Sequence, residues 1–293
     1  MIRFMRYKLL YFVISLIVIL PGIWSLVRFG LRPAIDFTGG ALIELAIKPK
    51  QGKQVTESAI RELVGQEFDV SAVQQTTEGT VMLRTKPISE EQKQAFSDRV
   101  EENLGSVEEK RFETVGPTIG KELLRKTIAA VVIAATFILI YVAYRFKELK
   151  YGVCAILAMF HDTLVILGAF SLLGHFLGVE VDTLFVTAVL TILSFSVHDT
   201  IVVYDRIRES RKRHPDVAYE DLVNLAVAET LGRSLNNSLT IIFMLTALLL
   251  FGGVTIRWFA AALLIGTVTG TYSSTFTAAP LLVVWENLRN RKR

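Results

Sequence analysis

The chain has 293 residues, 52% of them hydrophobic and 20% charged, with a formal net charge of +4. Its pI of about 9.1 would suit a nucleic-acid partner, but the Lys and Arg residues sit at the ends of apolar runs and not along one face of a domain, which excludes that class. Repeated apolar runs near the ~20 residues that cross a hydrocarbon core exclude a soluble globule and point to a membrane helix bundle.

The first apolar run, Leu9–Val27, follows Arg3, Arg6 and Lys8. A cleaved signal peptide would have a shorter apolar region and a small-residue cleavage site, so residues 1–29 are expected to hold a cytoplasmic N-terminus and an uncleaved first transmembrane helix.

Residues 30–121 read as soluble material ordered β-α-β-β-α-β. Ala41–Ile47 alternates as a strand. Thr56 caps a helix to about Glu67 whose apolar face carries Ala59, Ile60, Leu63 and Val64. Ser71–Thr77 and Thr80–Lys86 flank the short turn Glu78-Gly79 as a hairpin. Ser89 and Gln92 have capping-box spacing and open a helix to about Leu104, which Gly105 stops. Val107–Val115 is the last strand. This order predicts a small ferredoxin-like α+β domain inserted between the first two membrane helices.

Residues 122–293 supply five further spans, giving a six-transmembrane-helix bundle: Leu123–Tyr144, Tyr151–Gly174, Thr183–Tyr204, about Leu231–Phe251, and Trp258–Ala279. Arg145, Lys147 and Lys150 join the second and third. Arg206, Arg208, Arg211, Lys212 and Arg213 join the fourth and fifth, and Arg289, Arg291, Lys292 and Arg293 close the chain. The opposite loops are nearly free of Lys and Arg, so both termini are expected in the cytoplasm and residues 30–121 outside. Trp24 and Trp258 fall at outer ends, Trp285 just past the inner end of the last span, and Tyr144, Tyr151 and Tyr204 at inner ends, depths that amphipathic aromatics favour. Asp216–Ala228 has an apolar face of Leu222, Leu225 and Ala226. It suits a helix lying on the inner membrane surface, or equally one packed on the bundle ends. The single cysteine, Cys154, lies in an apolar run with no ligand spacing around it and is expected to be a packed thiol.

Nucleotide and hydrolase signatures are missing. Gly116-Pro-Thr-Ile-Gly-Lys-Glu122 has one residue too few between its glycines for a phosphate-binding loop and ends in Glu. No H-E-x-x-H, paired-cysteine or G-x-S-x-G pattern occurs, so no enzyme activity, metal or cofactor is expected. Gly116-Pro117 reads instead as a hinge.

Ionisable residues inside apolar runs carry the functional signal. Two spans contain His-Asp-Thr: His161-Asp162-Thr163 near mid-span and His198-Asp199-Thr200. Asp199 lies about five residues before the basic loop, roughly 7–8 Å inside at 1.5 Å per residue. A carboxylate in hydrocarbon costs several kcal/mol unless paired, wetted or protonated, and desolvation suits such a group to a proton relay. In the fifth span the clean run Leu239–Phe251 is too short to cross, so the helix must reach back through Asn237, Asn236, Ser234 and Arg233. That draws Arg233 to the depth of Asp199, where an ion pair is feasible. Structural alternatives are a plain ion pair with a snorkelling arginine, and an Asp162 that simply locks two helices. In the last span Gly266, Gly270 and Ser274 form a close-packing face, or, more sharply, one side of a hydrated track.

Three strings resemble one family. Ile35-Asp36-Phe37-Thr38-Gly39-Gly40 is similar to the D-F-T-G-G signature of the SecD/SecF family. Ser194-Phe-Ser-Val-His-Asp199-Thr-Ile-Val-Val-Tyr-Asp205-Arg206-Ile-Arg208-Glu209 is similar to that family's fourth-helix signature in the smaller subunit, and Arg233-Ser-Leu-Asn236-Asn237-Ser follows at the family's distance. Ala34 replaces a common glycine and His198 a frequent asparagine. The resemblance implies half of a resistance-nodulation-division-type core in the bacterial cytoplasmic membrane, completed by SecD. It implies association with the SecYEG channel, with YajC where present, and with unfolded preprotein on the outer side, and use of the proton-motive force late in export. It assigns Asp199 and Arg233 to the proton pathway, with Asp162, His198, Asn236 and Asn237 as candidate polar partners. The rival class is a subunit of a proton-driven efflux transporter, which would need a larger outside region; a non-transporting scaffold is the other.

Overall fold

The computed structural model describes residues 3–50, 55–64, 70–75, 80–146 and 148–291. These divide into two compact units, Met1–Arg32 with Ala129–Arg293, and Pro33–Ile128.

The smaller unit begins with α2 (Ile35–Thr38), after α1 (Lys8–Phe29) of the larger one. It continues β1 (Gly40–Pro49), α3 (Glu57–Val64), β2 (Val70–Gln75), β3 (Val81–Thr85), α4 (Glu90–Asn103) and β4 (Gly105–Val115). This is the strand and helix order expected from the periodicity. The four strands pair antiparallel in the order β2-β3-β1-β4. Alternation along β1 puts Ile43, Leu45 and Ile47 on one face, where they meet Leu83, Ile60, Phe96 and Val100 in a single core. The Ser89 cap is a full capping box: Ser89 Oγ accepts from the Gln92 amide (3.3 Å) and Gln92 Oε1 from the Ser89 amide (3.0 Å). The expected Glu78-Gly79 turn lies outside the described residues.

The two glycines after α2 have a steric reason. Gly39 and Gly40 hold φ of +73° and +132°, values that side chains disfavour. A Cβ on Gly39 would lie 2.8 Å from Pro117 Cα, and one on Gly120 2.9 Å from the Gly39 nitrogen. The string that fails as a phosphate loop is therefore the start of α5 (Pro117–Arg145), with proline at the first helical position and its first turn seated against the glycine pair.

The larger unit is helical: α1, the later part of α5, α6 (Leu149–Leu177), α7 (Thr183–Arg213), α8 (Tyr219–Phe251), α9 (Val254–Ser273), a π-helical turn at Ser274–Ala278, and α10 (Ala279–Arg291). Among the described residues, five helices are long and apolar enough to cross a membrane: Phe4–Phe29, Pro117–Arg145, Leu149–Leu177, Thr183–Arg213 and Tyr219–Phe251. Glycine sets how closely α1 and α6 approach, since a Cβ on Gly168 would lie 2.5 Å from Gly22 Cα; Ser25 and Ser171 then bond at 2.8 Å. Gly266 and Gly270 of α9 face Ile192 and Ser196 of α7, the close-packing face expected from their spacing. Cys154 is a free, buried thiol.

The structure decides two points that the sequence leaves open. Residues 219–228 of the Asp216–Ala228 segment are the first part of α8, and Leu222, Val223, Ala226 and Val227 are buried in the bundle. Asn224 is buried too, its Oδ1 accepting the Met5 amide at 2.8 Å. The segment thus takes the second of its two expected arrangements, packed on the bundle. Of the three inner-end tyrosines only Tyr144 is exposed. Tyr151 and Tyr204 pack with Phe146 in the core, where Tyr204 donates to the Ala278 carbonyl (3.0 Å). Position near a span's end marked their depth and left open which face they occupy.

Candidate functional site

Serines build the site around each buried carboxylate. Asp199 sits on the inward face of α7 and is 6% exposed. Its Oδ2 accepts from Ser234 Oγ of α8 at 2.5 Å and from Ser274 Oγ, at the first π-helical residue, at 2.8 Å. Asp162, on α6, is 1% exposed. Its Oδ1 meets His161 Nδ1 at 2.9 Å, and its Oδ2 accepts from Ser196 Oγ of α7 (2.5 Å) and Ser273 Oγ of α9 (2.6 Å). Ser196 and Asp199 are three residues apart and so share one helix face. Ser273 and Ser274 are consecutive, so the junction of α9 with the π turn hands one hydroxyl to each carboxylate. A π turn widens the helix by one residue per turn, which is what lets adjacent side chains both face inward here.

The sequence-derived partners are arranged differently from the expectation. Arg233 is exposed and forms no ion pair among the described residues, so the Asp199–Arg233 pair is not made. Asp199 is held by hydroxyls, because its neighbour Ser234 is the residue of α8 that faces inward; Arg233, one position earlier, points about 100° away. His198 is exposed, about 100° around α7 from Asp199, and Asn236 and Asn237 are exposed on α8. The two His-Asp-Thr strings are therefore not equivalent, since His161 is buried and bonded to its own aspartate while His198 is not.

Arg233 does belong to a surface groove of about 440 Å³, lined by Val202, Asp205, Arg206, Glu209, Glu229, Thr230 and Arg233. Inside it, Arg206 bridges Glu229 (2.5 Å) and Glu209 (2.6 Å), and Asp205 pairs with Arg145. Val202 and Thr230 stand about one helical turn from Asp199 and Ser234 respectively, so the groove ends near the Asp199 carboxylate. Ser15, Ser196, Ser234 and Ser273 were not singled out as site residues from the sequence. The three-residue spacing of Ser196 to Asp199 on α7 is a signal for the first partner, and the hydroxyl-rich stretch before the π turn is one for Ser273; nothing in the sequence marks Ser15 or Ser234.

Fold and site together define a polytopic membrane protein with carboxylates buried between its helices. The family model for the C-terminal region of the protein export membrane proteins SecD/SecF matches residues 95–288, and that for the SecD/SecF GG motif matches residues 24–50. The chain is 44% identical to a protein translocase subunit SecF of Thermobaculum terrenum, covering 98% of this chain and 95% of that one. It is 40% identical to a SecF of Anaerolinea thermophila, with the same coverage. The crystal structure of SecDF from Thermus thermophilus superposes with a TM-score of 0.85 at 34% identity, covering 98% of this chain and 39% of that longer one. A SecDF structure in a super-membrane-facing form gives 0.72 at 34% identity, covering 99% of this chain and 39% of that one. The chain belongs to the SecD/SecF family.

Proposed function

We propose that the chain is the smaller half of a proton-driven protein-export machine, and that Asp199 is the acid through which the membrane proton gradient acts. One observation carries this: a carboxylate buried in the bundle whose bonds come from neutral hydroxyls, beside a groove holding an arginine that forms no ion pair among the described residues. An ionised carboxylate in such a place is costly unless water or a cation reaches it, so its charge state is open to a gradient. Ionised Asp199 holds Ser234 and Ser274, and swings of Arg233 from the groove would stabilise that form. Protonation weakens both serine bonds, and Ser274 begins the π turn, a helix irregularity common at functional sites. Release there would let the last helical run shift against α7 and α8. Moving one charge through 100 mV makes about 2.3 kcal/mol available, roughly a fiftyfold bias on a two-state equilibrium.

The finer architecture belongs to the same proposal. Val254–Ser273, at 20 residues, is about 30 Å long and would make a sixth crossing. The strand order β2-β3-β1-β4 with two helices fits a ferredoxin-like domain outside the membrane. The distribution of Lys and Arg supports cytoplasmic termini in the bacterial inner membrane. That relatives exist as a fused SecDF chain, in Thermus thermophilus and Bacillus subtilis, supports SecD as the other half, with SecYEG, YajC and the emerging preprotein as further partners.

The test is Asp199→Asn, purified with SecD and assayed for gradient-stimulated export into membrane vesicles. The complex should form normally while the gradient no longer speeds completion of export. Export that stays fully gradient-responsive would remove Asp199 from the coupling path.

A further inference from the structure

The second carboxylate has the parts of a proton-binding site of its own. Asp162 and His161 are 1% and 7% exposed, and their side chains bond at 2.9 Å. The far imidazole nitrogen, Nε2, lies 3.0 Å from Ser15 Oγ on α1, which is itself 6% exposed and 3.4 Å from Thr277 Oγ1 in the π turn. Ser196 and Ser273 close the other carboxylate oxygen. Among the described residues no Lys or Arg pairs with Asp162. The titratable groups packed nearby are Tyr11 of α1, Tyr272 of α9, whose hydroxyl donates to the Tyr11 carbonyl (2.8 Å) and whose ring stacks 6.3 Å from His161, and Asp199 of α7.

Proton bookkeeping defines two states. With a neutral imidazole, Nδ1–H donates to Asp162, Ser15 donates to Nε2, and the pair carries one net negative charge. With one proton added, Nε2–H donates to Ser15, whose own hydroxyl turns toward Thr277, and the pair is neutral. No atom needs to move to accept the proton; only hydroxyl hydrogens rotate. Serine, histidine and aspartate connected in this order also describe a hydrolytic triad, but the hydroxyl here is enclosed between α1 and the π turn, where no scissile bond reaches it.

We propose that His161 and Asp162 together form a second proton-binding site of the bundle, holding one exchangeable proton between them, with Ser15 on α1 responding to its arrival. The proposal does not rest on Asp199 driving export, since it concerns proton binding at equilibrium.

The experiment counts protons taken up by the full chain in lipid bilayers on acidification, in an Asp199→Asn background, alongside ¹⁵N spectra of its histidines. The chain has four histidines, so His161→Gln assigns the relevant signal. Adding both His161→Gln and Asp162→Asn to Asp199→Asn should lower the uptake by at least one proton, and with the pair intact the added proton should appear on the His161 ring. Ser196→Ala keeps both titrating groups and removes a donor to the ionised carboxylate. It should change the pH dependence of that uptake, which keeps the test decisive where the variant lacking the pair does not assemble. Equal proton counts with and without the His161–Asp162 pair, or uptake whose pH dependence Ser196→Ala leaves unchanged, would overturn the proposal.

Discussion

Asp162 and Asp199 lie in one bundle, both buried and both bonded by serines, yet their surroundings differ in kind. Asp162 is enclosed by residues of α6, α7 and α9, with a histidine on one oxygen and two hydroxyls on the other. Asp199 has two hydroxyls on one oxygen and a polar groove one turn away. A carboxylate whose hydrogen-bonding capacity is filled from all sides is a strong structural tie. One left half-filled beside a groove can exchange its proton with water directly, whereas the enclosed one exchanges only through His161. Satisfaction and access, and not burial alone, separate the two.

Substitutions should split along that line. The largest expected effect is Asp162→Ala, which leaves His161, Ser196 and Ser273 facing a void; breaking a buried pair of this kind costs about 3 kcal/mol or more. Resistance to denaturant of the lipid-embedded chain measures it. Asp199→Ala should cost only about 1–2 kcal/mol, because each freed serine can turn to a backbone carbonyl of its own helix, as Ser274 already does toward Thr271 (3.1 Å). Comparable losses in both would erase the distinction.

Next in size is Gly168→Val, since even a methyl there would collide with the Gly22 backbone. Overpacking of about 1–3 kcal/mol should loosen α1 from α6, and a cysteine pair placed across that interface should cross-link more slowly. Ser15 rides on α1, so the His161–Asp162 environment should be disturbed while Asp199 is spared.

Arg233→Gln should leave stability within about 0.5 kcal/mol, because the side chain is exposed and unpaired. It should nevertheless reduce gradient-stimulated export. An unchanged export rate would confine Arg233 to the groove's surface.

The smallest effect lies in the other unit. Lys93 bonds Glu90 and lies 3.0 Å from Glu109, and these bonds, that to Glu90 first, hold its ammonium above the ordinary lysine value. A raised value in the folded state adds stability that is complete below the unfolded lysine value near 10.4 and is lost as pH rises through the folded one. Lys93→Met should therefore lower stability slightly at pH 7, by no more than about 1 kcal/mol, and the difference from the parent should fade at a pH above the folded lysine value. Denaturant midpoints at the two pH values check it.

The sequence was informative where one physical rule governs a segment. Apolar length marked the spans, period-two alternation the strands, and Ser89 with Gln92 a helix start that the structure reproduces as a reciprocal cap. It was uninformative about which way a membrane helix faces. On α7, Ser194, His198 and Asp199 share one apolar background, and nothing in it says that Asp199 turns inward while His198 turns out. Arg233 looked like the natural partner of Asp199 because charge and depth matched, but its neighbour Ser234 holds the inward direction. The π turn left no trace in composition beyond a run of hydroxyl residues, yet it is what lets consecutive serines reach two carboxylates. Tyr151 and Tyr204 show the same limit as His198, because rotation about a helix axis is not readable from its composition.

The most direct measurement is carbodiimide modification of the full chain in lipid, mapped by mass spectrometry, with gradient-stimulated export followed in parallel. The account predicts that Asp199, beside the groove, is modified, that Asp162 is protected by its closed shell, and that modification of Asp199 stops the gradient response in proportion. Modification of Asp162 with Asp199 untouched, or export that stays gradient-driven after Asp199 is fully modified, would contradict it.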